Sequence, residues 1–328
     1  MSRLTRTYAT GQTLSIAAME EASRFRVHEV DIEHLFLALV ISEQTAGQVL
    51  RGAGITLDAA RAAVAEQHAA QIASLGIAAR LPANGPIAIH ESGHREWTER
   101  AIDVIVRSSP RNTSGDASPI LRALVTEPSG MIEEILARLG TTPEAVIARL
   151  DDAEKIIEPR ETNARARLAR TGTAFVPATP DAVWELLTTP DRLPEWDTTV
   201  GRVEGDGDAW TAWARTEHPD GTAIRVKPHL ARQRAEDRAD ESARRVLWRF
   251  TFPDAPRANA RIIDIAIESA AGGSELAITV GWECTARPAG LRRVIAPVAR
   301  RVLAPLRRWA LWMQHQSVAA GISRALRG

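Results

Sequence analysis

Three groups of residues have types and spacings that chemistry can use. His90-Glu91-Ser92-Gly93-His94 matches His-Glu-x-x-His, a pattern that binds zinc when a helix puts both imidazoles on one face and the Glu beside a metal-bound water. Gly93 lies inside the pattern, and Pro82, Gly85 and Pro86 precede it. The segment therefore reads as a solvated loop, and no metal is assigned. His218, Asp220 and His229 are the polar candidates of the second half of the chain. Of these, His218 and His229 are the residues an acid–base step would use, yet all three sit at turns or strand ends, with no spacing that builds a triad or an acid/base pair. The third group is aromatic, since eight of nine tryptophans lie from Trp184 onward. Trp184, Trp196, Trp248, Phe250, Trp282, Trp309 and Met313 are expected to line an apolar, aromatic cavity. A core simply filled by the same side chains is the alternative.

The elements that position these aromatics begin at Thr179. Thr179 caps a helix with Pro180 at its first position, Val183, Leu186 and Leu187 form an apolar stripe, and Pro190 opens a second short helix near Pro194 and Trp196. Trp184 and Trp196 would then mark a pocket mouth. Strands follow. Val246, Trp248, Phe250 and Phe252 alternate with polar residues in 245–252, and Leu276, Ile278, Val280, Trp282 and Cys284 do so in 275–284. Ile263, Ile265 and Ile267 add a third strand, with others at 171–177 and 210–216. One buried and one wet face mean an antiparallel sheet covered on one side. The cover is a last helix between Leu291 and Leu326, with Val294, Val298, Val302, Leu306, Trp309 and Met313 expected on its inner face. Arg293, Arg300 and Arg307 lie opposite, and Pro297 and Pro305 break or kink its first part. The result is an α+β helix-grip domain.

The first half has a helical period throughout. Helices are expected at 14–22, 32–40 (capped by Asp31), 45–52 and from Leu57 to about Gln71. The pattern Ala38-Leu39-Val40, Val49-Leu50, Gly54-Ile55-Thr56 returns as Ala123-Leu124-Val125, Ile135-Leu136, Gly140-Thr141-Thr142. Two copies of one helical unit in a pseudo-symmetric all-α domain are the simplest reading. The boundaries follow: a helical domain at 1–152, a polar linker at 153–169 holding Pro159, and the helix-grip domain at 170–328.

Bulk properties set limits. The 328 residues suffice for two cores, and 41 basic residues balance 41 acidic ones, which argues against a general nucleic-acid binder. The balance is uneven along the chain, because eight arginines and no acid lie from Pro288 to the end. Cys284 is the sole cysteine, which removes an intrachain disulfide and a cysteine-built zinc site. No signal-peptide pattern and no membrane-length apolar run occur, so a cytoplasmic protein without integral membrane association is expected. Gly-x-Ser-x-Gly and the Gly-Lys pair of a P-loop are both missing, and no cofactor is assigned.

Two family resemblances join these readings. Glu-Glu-Ala at 20–22, Ile-Glu-His-Leu-Phe-Leu-Ala-Leu at 32–39 and Val-Leu-Arg-Gly-Ala-Gly-Ile at 49–55 resemble the repeated N-terminal domain of the Clp unfoldase ATPases, over roughly 4–150. The resemblance implies a domain that docks protein substrates and adaptors, here without its ATPase modules. Glu33 and His34 would belong to the partner surface, although a structural role for His34, donating a hydrogen bond to nearby backbone, is the plainer reading. Ser118-Pro119 replaces that pair in the second copy. Phe175 to Ala178, Pro180 to Leu187 and Pro190 to Trp196 resemble the opening of the SRPBCC superfamily, in its polyketide cyclase/dehydrase and lipid-transport branch, over about 168–326. That family holds a hydrophobic small molecule between sheet and helix, and only some members are enzymes. The leading expectation is a non-enzymatic protein that binds an apolar ligand or lipid through one domain and a protein partner, such as a Clp component, through the other. The alternatives are a cyclase or dehydratase and an adaptor or decoy for a Clp protease.

Overall fold

A computed structural model describes residues 3–76, 85–87, 96–108, 115–156, 169–205, 209–218, 221–283 and 304–327. The chain divides into two compact units, one within 1–159 and the other within 160–327. The expected linker and the His90–His94 segment fall largely or wholly outside the described residues, as do Asp220, Cys284 and the helix positions 291–303.

The first unit is built on helices α1 (Arg3–Arg24), α2 (Ile32–Val40), α3 (Thr45–Gly52), α4 (Leu57–Ser74), α5 (Glu99–Ser108), α6 (Ser118–Val125), α7 (Met131–Arg138) and α8 (Pro143–Ile156). Helix α2 is apolar around nearly its whole circumference, so it can only be a central helix: all nine residues are buried, and it touches α1 and α3 through α7. Helices α3 and α4 start at 45 and 57, and α7 and α8 start at 131 and 143, a common offset of 86. The turns repeat as well. Gly54 and Gly140 adopt left-handed φ of 85° and 72°, which lets Ile55 N donate to Leu50 O and Thr141 N donate to Leu136 O. Thr56 and Thr142 then cap the next helix through Ala59 N and Ala145 N. One departure from an all-α unit is a two-residue parallel pairing of β1 (Glu29–Val30) with β2 (Glu96–Trp97).

The second unit is a seven-stranded antiparallel sheet in the order β3-β9-β8-β7-β6-β5-β4. Its strands are β3 (Ala169–Val176), β4 (Val200–Glu204), β5 (Trp210–Ala214), β6 (Arg232–Asp240), β7 (Arg245–Thr251), β8 (Ala260–Ala270) and β9 (Gly273–Glu283). Between β3 and β4 run α9 (Pro180–Thr188) and α10 (Leu193–Trp196), and α11 (Ala304–Arg327) closes the chain. Thr179 accepts from Ala182 N, which is the expected cap of α9. Val183, Leu186, Leu187, Leu193 and Trp196 join one apolar core with the sheet and with Leu311, Val318 and Ile322 of α11. This is a helix-grip arrangement.

The inner face of α11 differs from the expected one. Leu306, Trp309 and Met313 are exposed, whereas Leu311, Trp312, His315, Val318 and Ile322 are buried. The helix is set where glycines admit it, because a Cβ on Gly321 would stand 2.0 Å from the Trp196 carbonyl oxygen and one on Gly172 of β3 2.6 Å from His315 Nε2. Those two contacts fix the rotation of α11.

Candidate functional site

The inner face of the sheet can be read row by row from its register. Trp210, Ala235, Phe250, Arg261 and Trp282 stand directly opposite one another across β5 to β9. The adjacent row holds Trp248, Ile263 and Val280 and reaches Arg170 on β3, and the next holds Val246, Ile265, Ile278 and Gly172. The centre of this face is filled. Trp196 packs on Trp248 with ring centroids 6.4 Å apart, and Trp248 stacks on Phe250 at 6.0 Å. All three have no exposed surface, and Trp248 Nε1 donates to Leu187 O at 3.0 Å, tying α9 to the sheet. These rings form a floor and not the wall of a void.

The first row carries the polar chemistry. Arg261 and Asp197 are both buried, with Arg261 donating from Nη1 to Oδ1 at 3.2 Å and from Nη2 to Oδ2 at 2.6 Å. The guanidinium also lies 4.0 Å over the Phe250 ring. Thr199 adds its N–H and hydroxyl to Asp197 Oδ1 at 3.0 and 2.7 Å. Burial opposes ionisation of Asp197, but the Arg261 charge and these hydrogen bonds outweigh it and hold the carboxyl below its ordinary value. Among the described residues, the buried polar atoms Trp196 Nε1, Trp210 Nε1 and Gln233 Oε1 have no hydrogen-bond partner. His315 lies against Gly172. Burial, reinforced by Arg170, keeps its imidazole below the usual histidine value despite hydrogen bonds with Gly172 and Gln316.

The expected site residues are therefore split. Trp196, Trp248 and Phe250 come together in the core. Trp184 is half-buried at the core edge, under the Arg244 guanidinium at 5.4 Å. Trp309 and Met313 do not line the interior, being 58% and 38% exposed because of the rotation of α11, whereas Trp282 keeps the inward phase of its strand but is 37% exposed at the end of the row. His218 and His229 are exposed, His218 beside a turn and His229 in a short 3-10 helix, so neither meets the core as an interior acid or base must. Arg261 shares the inward phase of Ile263, Ile265 and Ile267, so the alternation that identifies the strand also points to it. Asp197 carries no such signal.

In the first unit Glu33 and His34 are buried, at 4% and 1% exposure, and so offer no surface to a partner. Asp31 N donates to His34 Nδ1 at 3.1 Å, and Asp31 in turn caps α2 and is bridged by Arg100 and Thr98. The ring thus accepts a backbone hydrogen bond and does not donate one. His68 Nε2 lies 3.2 Å from Glu33 Oε1, which completes a pairing internal to the bundle. Among the described residues no group of three or more His, Cys, Asp or Glu is placed to hold a metal ion, and no helix is long and apolar enough to cross a membrane.

Residues 168–311 match the family described as polyketide cyclase / dehydrase and lipid transport. Solved structures similar to this chain include TTHA0849 from Thermus thermophilus, 16% identical, covering 48% of this chain and 97% of that one with a TM-score of 0.34. DR_A0006 from Deinococcus radiodurans is 15% identical over 49% of this chain and 94% of its own, with a TM-score of 0.29. The N-terminal domain of the caseinolytic protease associated chaperone ClpD from Arabidopsis thaliana is 23% identical over 44% and 91%, with a TM-score of 0.33. Among curated proteins nothing matches the chain. Within the matched region, Arg261 lies over the Phe250 ring of the aromatic floor and pairs with Asp197.

Proposed function

We propose that the chain is a non-enzymatic two-domain binding protein. Its polyketide cyclase/dehydrase-like domain takes an apolar small molecule or lipid, and its helical unit, which resembles a Clp N-terminal domain, engages a protein partner such as a Clp component. The family match over 168–311 supports the ligand-binding part of this reading. The ligand enters at the Trp210–Arg261–Trp282 row, where the inner face of the sheet reaches solvent at Trp282. The floor of Trp196, Trp248 and Phe250 closes the site beneath it. Two observations favour binding over turnover: Asp197 is engaged as the counter-ion of Arg261, and His218 and His229 are exposed.

Native mass spectrometry of the intact chain, with titration of the fluorescent probe 1-anilinonaphthalene-8-sulfonate, tests the ligand site. Saturable uptake by the folded chain, weakened by Trp282→Asp, is expected. Absence of both a copurified apolar mass and saturable probe binding overturns the reading. For the helical unit, capture of Clp components is expected to survive Trp282→Asp, and failure of the wild-type chain to capture any removes that half of the proposal.

A further inference from the structure

On the inner face of β5 and β6 the register sets four side chains at the corners of a square. Trp210 stands opposite Ala235, and Ala212 stands opposite Gln233. The alanines share one diagonal and the two polar side chains the other. Diagonal neighbours on adjacent antiparallel strands have Cβ atoms about 7 Å apart, within mutual reach of an indole and a carboxamide. Gln233 is 5% exposed and lies on the buried side of β6, while Arg232 and Arg234 on either side of it are exposed. Trp210 Nε1 and Gln233 Oε1 are both enclosed, and neither has a hydrogen-bond partner.

An enclosed polar atom without a partner destabilises the fold, and a leucine at position 233 would avoid that cost. The two atoms are complementary in kind, because an indole N–H only donates and a carboxamide oxygen only accepts. A ligand carbonyl would serve Trp210 alone, and an ammonium would serve Gln233 alone. A hydroxyl serves both through one atom, accepting from Trp210 Nε1 and donating to Gln233 Oε1. Ala212 and Ala235 on the other diagonal add no bulk beside it, and Arg261 and Asp197 are engaged with each other. We infer that Trp210 and Gln233 form a polar subsite that selects a hydroxyl-bearing apolar molecule, an alcohol or phenol, over a hydrocarbon of the same shape. The inference rests on the ligand reading above and adds its specificity.

Calorimetric titration of the intact chain with 2-naphthol and with naphthalene tests this, beside the 1-anilinonaphthalene-8-sulfonate titration that reads uptake itself. 2-Naphthol is expected to bind roughly 10-fold more tightly than naphthalene. Gln233→Leu and Trp210→Phe should each weaken 2-naphthol roughly 5-fold and leave naphthalene unchanged. Because Gln233→Leu removes an unsatisfied atom at similar volume, the ligand-free variant should unfold at the wild-type temperature or above it. A lower transition means that ordered water already satisfies the amide, and overturns the inference. Saturable probe uptake with equal affinity for the two naphthalenes, or with binding of neither, overturns the subsite and leaves the ligand reading standing. No saturable uptake of any of the three overturns both.

Discussion

The Asp197–Arg261 pair ties the charged row of the sheet to the segment after α10, and its energetics follow from its burial. Both side chains are enclosed, with Arg261 at 5% and Asp197 at 2% side-chain exposure. Asp197→Asn keeps the shape of the side chain but leaves the guanidinium buried without a counter-ion. One-sided loss of a buried pair costs about 3–5 kcal/mol. In a unit of this size each kcal/mol lowers Tm by about 2–4 °C, so a drop of roughly 6–20 °C is expected. Intrinsic fluorescence of the intact chain reports it, because all tryptophans but Trp97 lie in the second unit. Removing both charges with Asp197→Leu and Arg261→Met together should recover most of the loss, since neither desolvated charge remains. The pH dependence has a definite sign. With its pKa lowered in the folded state, Asp197 contributes stability that is complete above the unfolded value of about 3.9 and is lost as pH falls through the folded value. The deficit of Asp197→Asn should therefore be largest near neutrality and shrink in acid. A single-variant loss under about 1 kcal/mol, or a double variant as unstable as the two singles summed, refutes the account.

Two further outcomes follow from the seat of α11. Gly321→Val places carbon where the Trp196 carbonyl stands, 2.0 Å from an ideal Cβ, and should cost about 1–3 kcal/mol by overpacking; an unchanged thermal transition would mean that α11 does not rest on α10. His315 is held neutral by burial, so its contribution is complete above about pH 6.5 and declines as pH falls toward the lowered folded value. Stability curves of the wild type and His315→Gln should converge below that pH, and parallel curves down to about pH 5 would show that the ring charges freely.

How much of this was legible depended on whether phase and packing could be read together. The alternation in 245–252 and 275–284 identified β7 and β9, because Val, Ile, Trp and Phe contrast sharply with their neighbours. Strand β6 (Arg232–Asp240) escaped because its inward positions are Gln233 and Ala235, too weak an apolar signal. The last helix failed for a different reason. Two apolar stripes are written into this segment, one running from Val294, Val298 and Val302 through Leu306, Trp309 and Met313 and one through Leu311, His315, Val318 and Ile322, and the longer run favoured the first. Which stripe faces inward is settled by the small residues Gly172 and Gly321, and their meaning appears only once β3 and α10 are in place. With Trp309 turned outward, the aromatic cavity expected from sequence loses one wall.

The first unit shows the same limit from the polar side. Glu33 and His34 have residue types that suggest recognition, and the lack of their equivalents at Ser118-Pro119 in the second copy looks at first like the loss of a site. In the fold they serve the helix itself: His34 accepts from the Asp31 backbone, Asp31 caps α2, and Arg100 from α5 and His68 from α4 reach the same corner. The second copy starts its helix with Pro119 at the first turn and with Asp116 accepting from Ser118 N, so it needs no such pair. The asymmetry between the repeats is thus an asymmetry of helix starts. A partner surface on this unit has to be built from exposed side chains, and both the Glu33–His34 pair and the apolar length of α2 are excluded from it by their burial.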